Sequence, residues 1–213
     1  MCAPLRASNE ILLELAEHRP AGLVFDIASL KRPLARGLAA MQSAGCRIAS
    51  VHPMFGPREL MLSGRHILFV DSGHAGALNE VRELFAHTAA DCVDLGLEEH
   101  DEVMGWVLGL SHLVNIAFAA AIDRSGEAVP LLRRISSTTF NHQLQVAAQV
   151  VSENPMLYYE IQADTIATST AAETFSEVLS ELIEAISGRD ESGFVSVMQS
   201  AHERLAADRG ETS

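Results

Sequence analysis

One of the nine histidines, His52, stands where an imidazole can do chemistry. It follows the apolar run Cys46–Val51, which reads as a buried strand, and it precedes Pro53. A residue before proline is biased away from helical dihedrals, so the ring should project from a strand end. Met54 follows, and Gly56 and Pro57 then enforce an irregular loop. Ligands in open α/β sheets sit beyond the carboxyl ends of the strands. A histidine placed there suits acid/base work near neutral pH. Position alone leaves a second reading open, a loop histidine bonded to backbone. Asp101 and His112 are eleven apart, which on a regular helix sets them about 20° apart around the axis, with Gly105, Leu108 and Asn115 on the same stripe. Asp101 reads either as a pocket group or as an exposed carboxylate favoured in a first helical turn. His112 reads as a pocket group or as a core histidine. His100 points about 80° away from His112. The remaining histidines show no metal-ligand spacing, and no Gly-x-Ser-x-Gly elbow is present. No metal site is expected.

The elements that must position these groups fall into two patterns. Ser8 reads as the N-cap of a helix to about His18, and Gly22–Ile27 as a strand covered on both faces. Pro33 suits the first turn of a helix to Ser43, ended by Gly45. The strand 46–51 follows, then a strand at His66–Val70, a helix at Ala75–His87 and a strand at Cys92–Leu95. Such alternation is an α/β pattern. After Leu97 only helices are expected: Glu98–Asp123, Pro130–Ser152 with a break around Ser136–Thr139, Met156–Ser187 and Glu191–Ala207. The expected domains are therefore 1–96 and 97–213.

With 213 residues, 48% of them apolar, the chain can bury one core or two small ones. A net charge of −13 argues against nucleic acid as a partner. Cys2, Cys46 and Cys92 are scattered and read as reduced thiols of a cytoplasmic protein. No signal peptide or membrane-spanning segment is expected.

His52-Pro53-Met54-Phe55-Gly56-Pro57 resembles the signature of the prephenate/arogenate dehydrogenase family. Asp26-Ile27-Ala28-Ser29-Leu30-Lys31 resembles that family's Asp-x-x-Ser-x-Lys segment, and Glu99-His100-Asp101 with Ser111-His112 resembles its helical histidine pair. The resemblance implies a Rossmann-like α/β domain followed by an all-helical dimerisation domain. It implies His52 as the catalytic acid/base, oriented by the Ser29 hydroxyl, with His112, Asp101, His100, Lys31, Met54 and Gly56 on the substrate side. The chain also departs from the family. No Gly-x-Gly-x-x-Gly turn occurs, and the first residues, Ala3-Pro4-Leu5, match the end of a fourth Rossmann strand. The family arginines before the segment Asn154–Tyr158 are matched by Gln149 and Asn141, with Arg133 and Arg134 about two helical turns from Asn141.

The expectation from these departures is a non-redox enzyme on an α/β remnant of the Rossmann-like domain. His52 would move a proton in an elimination, isomerisation, cyclisation or decarboxylation, without a cofactor. Its partners would be a small-molecule substrate and a second copy of the chain in a homodimer, with no nucleic acid and no membrane. Two alternatives stay open: a prephenate or arogenate dehydrogenase whose NAD-binding half is missing or supplied separately, and a catalytically silent binding protein.

Overall fold

The computed structural model describes residues 1–56, 59–73, 75–163 and 166–208; Pro57 and His74 lie outside them. The apolar runs assemble into one sheet in the order β1 (Val24–Asp26), β2 (Ile48–Pro53), β3 (His66–Asp71) and β4 (Asp91–Gly96). β1 pairs with β2, and β3 with β4, in parallel, whereas β2 and β3 are antiparallel. Helix α2 (Ala35–Ser43) carries the first crossover and α3 (Ala75–Phe85) the second. The segment from Met54 to Arg65 contains no helix among its described residues, so the chain turns back rather than crossing over. That reversal is absent from the alternation pattern in the sequence. β2 ends at Pro53, two residues later than expected, which places His52 inside the strand.

Period-two alternation sorts the strand residues to two faces. Ile48 and Leu68 join Leu12 of α1 (Leu5–His18), Leu34, Leu38 and Met41 in one core, which Met104 also enters. Ala49, Val51, Ile67 and Phe69 join Ala77 and Val81 of α3 in another. Both faces are covered, hence the continuous apolar runs. The same alternation turns Asp26, Ser50 and His52 toward the α1–α2 side. α1 begins after Pro4 and not at Ser8, which is buried and donates its hydroxyl to the Pro4 carbonyl. α1 lies so close on α2 that a Cβ at Gly37 would stand 2.6 Å from Leu12 Cβ and 2.9 Å from the Asn9 carbonyl oxygen.

From Leu97 the chain is helical: α4 (Leu97–Met104), a six-residue π-helical segment (Gly105–Leu110) and α5 (Ser111–Ser125) run as one 29-residue helix. α6 (Val129–Arg134) and α7 (Thr138–Val151) follow, separated where Ser137 caps α7 by accepting from the Phe140 amide. α8 (Pro155–Ala163), α9 (Ile166–Gly188) and α10 (Glu191–Asp208) complete the fold; the expected single helix Met156–Ser187 crosses residues 164 and 165, which are not described. By packing, Met1–Ser169 form one compact unit and Thr170–Ser213 another. The change from α/β to all-helical structure near Leu97 therefore falls inside the first unit.

The π segment has two consequences. Its wider turn rotates α5 about the helix axis relative to α4, so Asp101 and His112 do not share the stripe that a regular helix would give them. Its first residue, Gly105, has no room for a side chain, since a Cβ there would lie 2.5 Å from the Ala167 backbone. By length and composition alone the long helix could cross a membrane, and 17% of its most apolar window is buried within the protomer.

The α1–α2 approach makes a testable point. Gly37→Ala improves intrinsic helix propensity by about 1 kcal/mol, yet the inserted methyl must push Leu12 away. We expect a net loss of about 1–3 kcal/mol, as for overpacked cores, seen as a lower midpoint in urea unfolding. An unchanged or raised midpoint would show the two helices free to separate.

Candidate active site

His52 is buried, and its Nδ1 lies 3.0 Å from His100 Nε2. The other nitrogen of His100 lies 2.7 Å from Asp101 Oδ1. Asp101, in the first turns of α4, also accepts the backbone N–H of Lys31 at 2.8 Å and of Arg32 at 2.7 Å. Burial pushes the Asp101 pKa up, but the hydrogen bonds from His100 and from the Arg32 and Lys31 amides outweigh it, leaving the group below the usual carboxylate value. An ionised Asp101 can only accept, and with both rings neutral this sets the direction of the chain. His100 Nδ1–H donates to Asp101, His100 Nε2 accepts from His52 Nδ1–H, and the lone pair is left on His52 Nε2. The described residues form a hydrogen bond with the His52 ring only through Nδ1. Burial, then the charge of Lys31, then His100 hold the His52 pKa well below the ordinary histidine value. The ring is therefore a neutral base at physiological pH.

Lys31 is fully buried. Its Nζ donates to Asp26 Oδ1 at 2.6 Å and to the Val51 carbonyl at 2.8 Å. Burial lowers its pKa, opposed by the Asp26 charge and hydrogen bond and by Asp101. Sequence reasoning placed Asp26 at a strand end without giving it a role. The signal was present, because a carboxylate within the apolar run Gly22–Ile27 has to find a partner when that strand is buried.

The structure thus unites His52, His100, Asp101 and Lys31, and separates the other candidates from them. Ser29 makes no hydrogen bond to His52 among the described residues; His100 orients the ring instead. Asp101 is not an exposed first-turn carboxylate. His112 packs its ring on Tyr158 of α8 at 4.4 Å between centroids, with a buried Nδ1 that has no partner among the described residues. Burial lowers its pKa to about 4. Met54 is half-buried against the α1–α2 core, and Gly56 is exposed. Gln149 is exposed on α7, as are Arg133 and Arg134 at the end of α6. None of the three reaches the His52 relay by a hydrogen bond.

A dinucleotide's pyrophosphate needs free backbone N–H groups at a strand-to-helix turn. The turn after β1 offers the amides of Lys31 and Arg32, and the Asp101 carboxylate already takes both. After β3, the Gly73 amide is taken by Asp71. These three amides are therefore not free to hold a pyrophosphate, and no residue here is assigned to a dinucleotide.

Two family models match the chain, that for the prephenate dehydrogenase nucleotide-binding domain over residues 1–94 and that for the prephenate dehydrogenase dimerization domain over residues 97–200. A protein of Methanocaldococcus jannaschii described as "Probable arogenate/prephenate dehydrogenase" is 25% identical over 212 residues, which cover 98% of this chain and 48% of the relative. The 4-amino-4-deoxyprephenate dehydrogenase of Streptomyces pristinaespiralis is 25% identical over 179 residues, 84% of this chain and 60% of that one. The chain thus spans about half the length of the first relative and three-fifths of the second. The crystal structure of prephenate dehydrogenase from Aquifex aeolicus shares the fold, with a TM-score of 0.70 at 19% identity over 96% of this chain and 75% of that one. In complex with hydroxyphenyl propionate and NAD+ the figures are 0.68, 19%, 96% and 74%. The relatives are dehydrogenases, which overturns the expectation of a non-redox lyase, isomerase or cyclase. The physical reason is plain: oxidising an alcohol also needs a proton acceptor, so a buried neutral histidine does not separate the two chemistries.

His112 yields a pH prediction. The unfolded ring takes up a proton near pH 6.5, whereas the folded ring refuses it until about pH 4. Between those values protonation favours the unfolded chain, so stability should fall as pH is lowered through that window. His112→Phe keeps a ring against Tyr158 and should flatten the fall. Urea midpoints at pH 7, 6, 5 and 4.5 test this; identical slopes in both proteins would refute the buried, neutral assignment.

Proposed function

The chain belongs to the prephenate dehydrogenase family, and we propose that it carries the proton-accepting, substrate-side part of a dehydrogenase for a prephenate- or arogenate-type cyclohexadienol. One observation carries this reading: the relay His52–His100–Asp101 engages His52 through Nδ1, and no described residue bonds its Nε2 near the end of the strand. When a ring alcohol is oxidised, its O–H proton must leave. His52 Nε2 accepts it. The imidazolium then formed donates more strongly from Nδ1 to His100, and Asp101 stabilises the charge through the second ring. Asp101 is itself held by the Lys31 and Arg32 amides, so little reorganisation accompanies the transfer. A pKa well below the ordinary value keeps the base unprotonated across the neutral range. The hydride would pass to a nicotinamide dinucleotide, whose pyrophosphate finds no free amide at Lys31, Arg32 or Gly73.

The test is turnover of prephenate, arogenate and 4-amino-4-deoxyprephenate by the intact protein with NAD+ or NADP+. His52 is buried and bonded to His100, so truncation to alanine would leave a cavity and cost stability. His52→Asn retains a polar group for His100 and removes the base. It should lower kcat/KM by about 10²–10⁴ with the fold intact by circular dichroism. A variant within tenfold of the wild type would remove His52 from the chemistry, and failure on all three substrates with both nucleotides would sink the reading.

The partner is a second copy. The second family model is for a dimerization domain, and the long helix leaves Val103, Trp106 and Val107 between 38% and 50% exposed. A helix apolar on nearly all faces has to be covered on them, and an interface around a two-fold axis does so. Light scattering at low micromolar concentration should give twice 22.9 kDa. A folded monomer at that concentration, or a protein that partitions into lipid vesicles instead, would defeat the proposal.

A further inference from the structure

Among the described residues, the groups that face His52 come from three directions. α4 contributes His100 and Asp101, and β3 places the apolar Leu68 opposite it in register. β1 and the turn after it contribute Asp26 and Lys31, while Ser50 is the next residue on the same face of β2. Lys31 is a wholly buried ammonium spanning two strands: one bond goes to Asp26 on β1 and another to the carbonyl of Val51, the peptide that carries His52. The second oxygen of Asp26 is buried without a partner among the described residues. Asp26 Oδ1 also accepts the Ala28 amide at 2.9 Å, and Lys31 supplies its ionic partner, so that neither buried charge is readily tolerated without the other.

We propose that Lys31 is a positioning residue for His52: clamped by Asp26, its ammonium fixes the Val51 carbonyl and sets a positive charge beside the imidazole. The proposal rests on the reading of His52 as a base. A buried ion pair is seldom retained for stability, because neutral residues of similar volume serve about as well. This one has a geometric role at the strand end and an electrostatic one at the ring. A cation beside an imidazole opposes its protonation, and the Lys31 charge acts on His52 in that sense. The outcome is a base that stays neutral although it sits in a chain of net charge −13.

The decisive measurement is the titration of His52 by nitrogen-15 NMR in the intact protein, its signals identified by their absence from His52→Asn. Lys31→Met leaves Asp26 buried and unpaired and is expected to unfold or to lose much stability. The neutral pair Asp26→Asn with Lys31→Met removes both charges at nearly constant volume and should fold. In that double variant the His52 midpoint should rise by about one pH unit or more. The acid limb of kcat/KM should move with it if the dehydrogenase reading holds. A raised midpoint without dehydrogenase activity would retain the positioning role and reject the activity. A folded double variant with an unmoved midpoint overturns the proposal. So does a double variant that fails to fold, because the pair would then be structural.

Discussion

The structure around the candidate site depends on one carboxylate. Asp101 accepts three hydrogen bonds, two from backbone amides of the turn after β1 and one from His100. Hydrogen bonds to a charged acceptor contribute about 1.5–3 kcal/mol each, and the amides of a helix start are the groups most in need of an acceptor. The interaction therefore docks the first turns of α4 against the start of the α2 segment. It also determines which nitrogen of each histidine carries a proton. Position and protonation state are set by the same atom.

A second constraint comes from burial. Asp26, Ser50 and His52 share one face of the sheet, which beneath them is closed by leucines and by Met41. Polar groups in such a layer need one another as partners: Lys31 bridges β1 and β2, while Asp26 Oδ2 and Ser50 Oγ are buried without a partner among the described residues. The layer marks where the apolar core gives way to chemistry. It lies beyond the carboxyl end of β1, where α/β sheets place their ligands, even though the pairing of β2 with β3 is antiparallel.

The helical part works under a different constraint. The π-helical segment lets Gly105 and Gly109 come against the start of α9, where side chains would collide with Ala167 and Thr168. It also separates the two functional-looking residues of the long helix. Asp101 goes to the sheet, while His112 goes to Tyr158. The middle of the helix leaves Val103, Trp106 and Val107 exposed.

Much of this was legible in the sequence. The strands, the helix ends at Gly45 and Gly126, and the break capped by Ser137 arise from apolar runs, left-handed glycines and a capping hydroxyl, all local effects. The placement of His52 near a strand end was also legible, since the proline after it restricts its backbone. The partners of His52 were not. Ser29 is 23 residues from His52 and His100 is 48 away, and no local rule says which of them the ring nitrogen meets. That choice belongs to the docking of α4, and with it the burial of Lys31 and the role of Asp26. The angular relation of Asp101 to His112 failed for a related reason: a regular helical period was assumed where close packing at Gly105 accompanies a wider turn. Local propensity shapes elements over a few residues, whereas the meeting of groups distant in sequence is decided by which faces must be buried together.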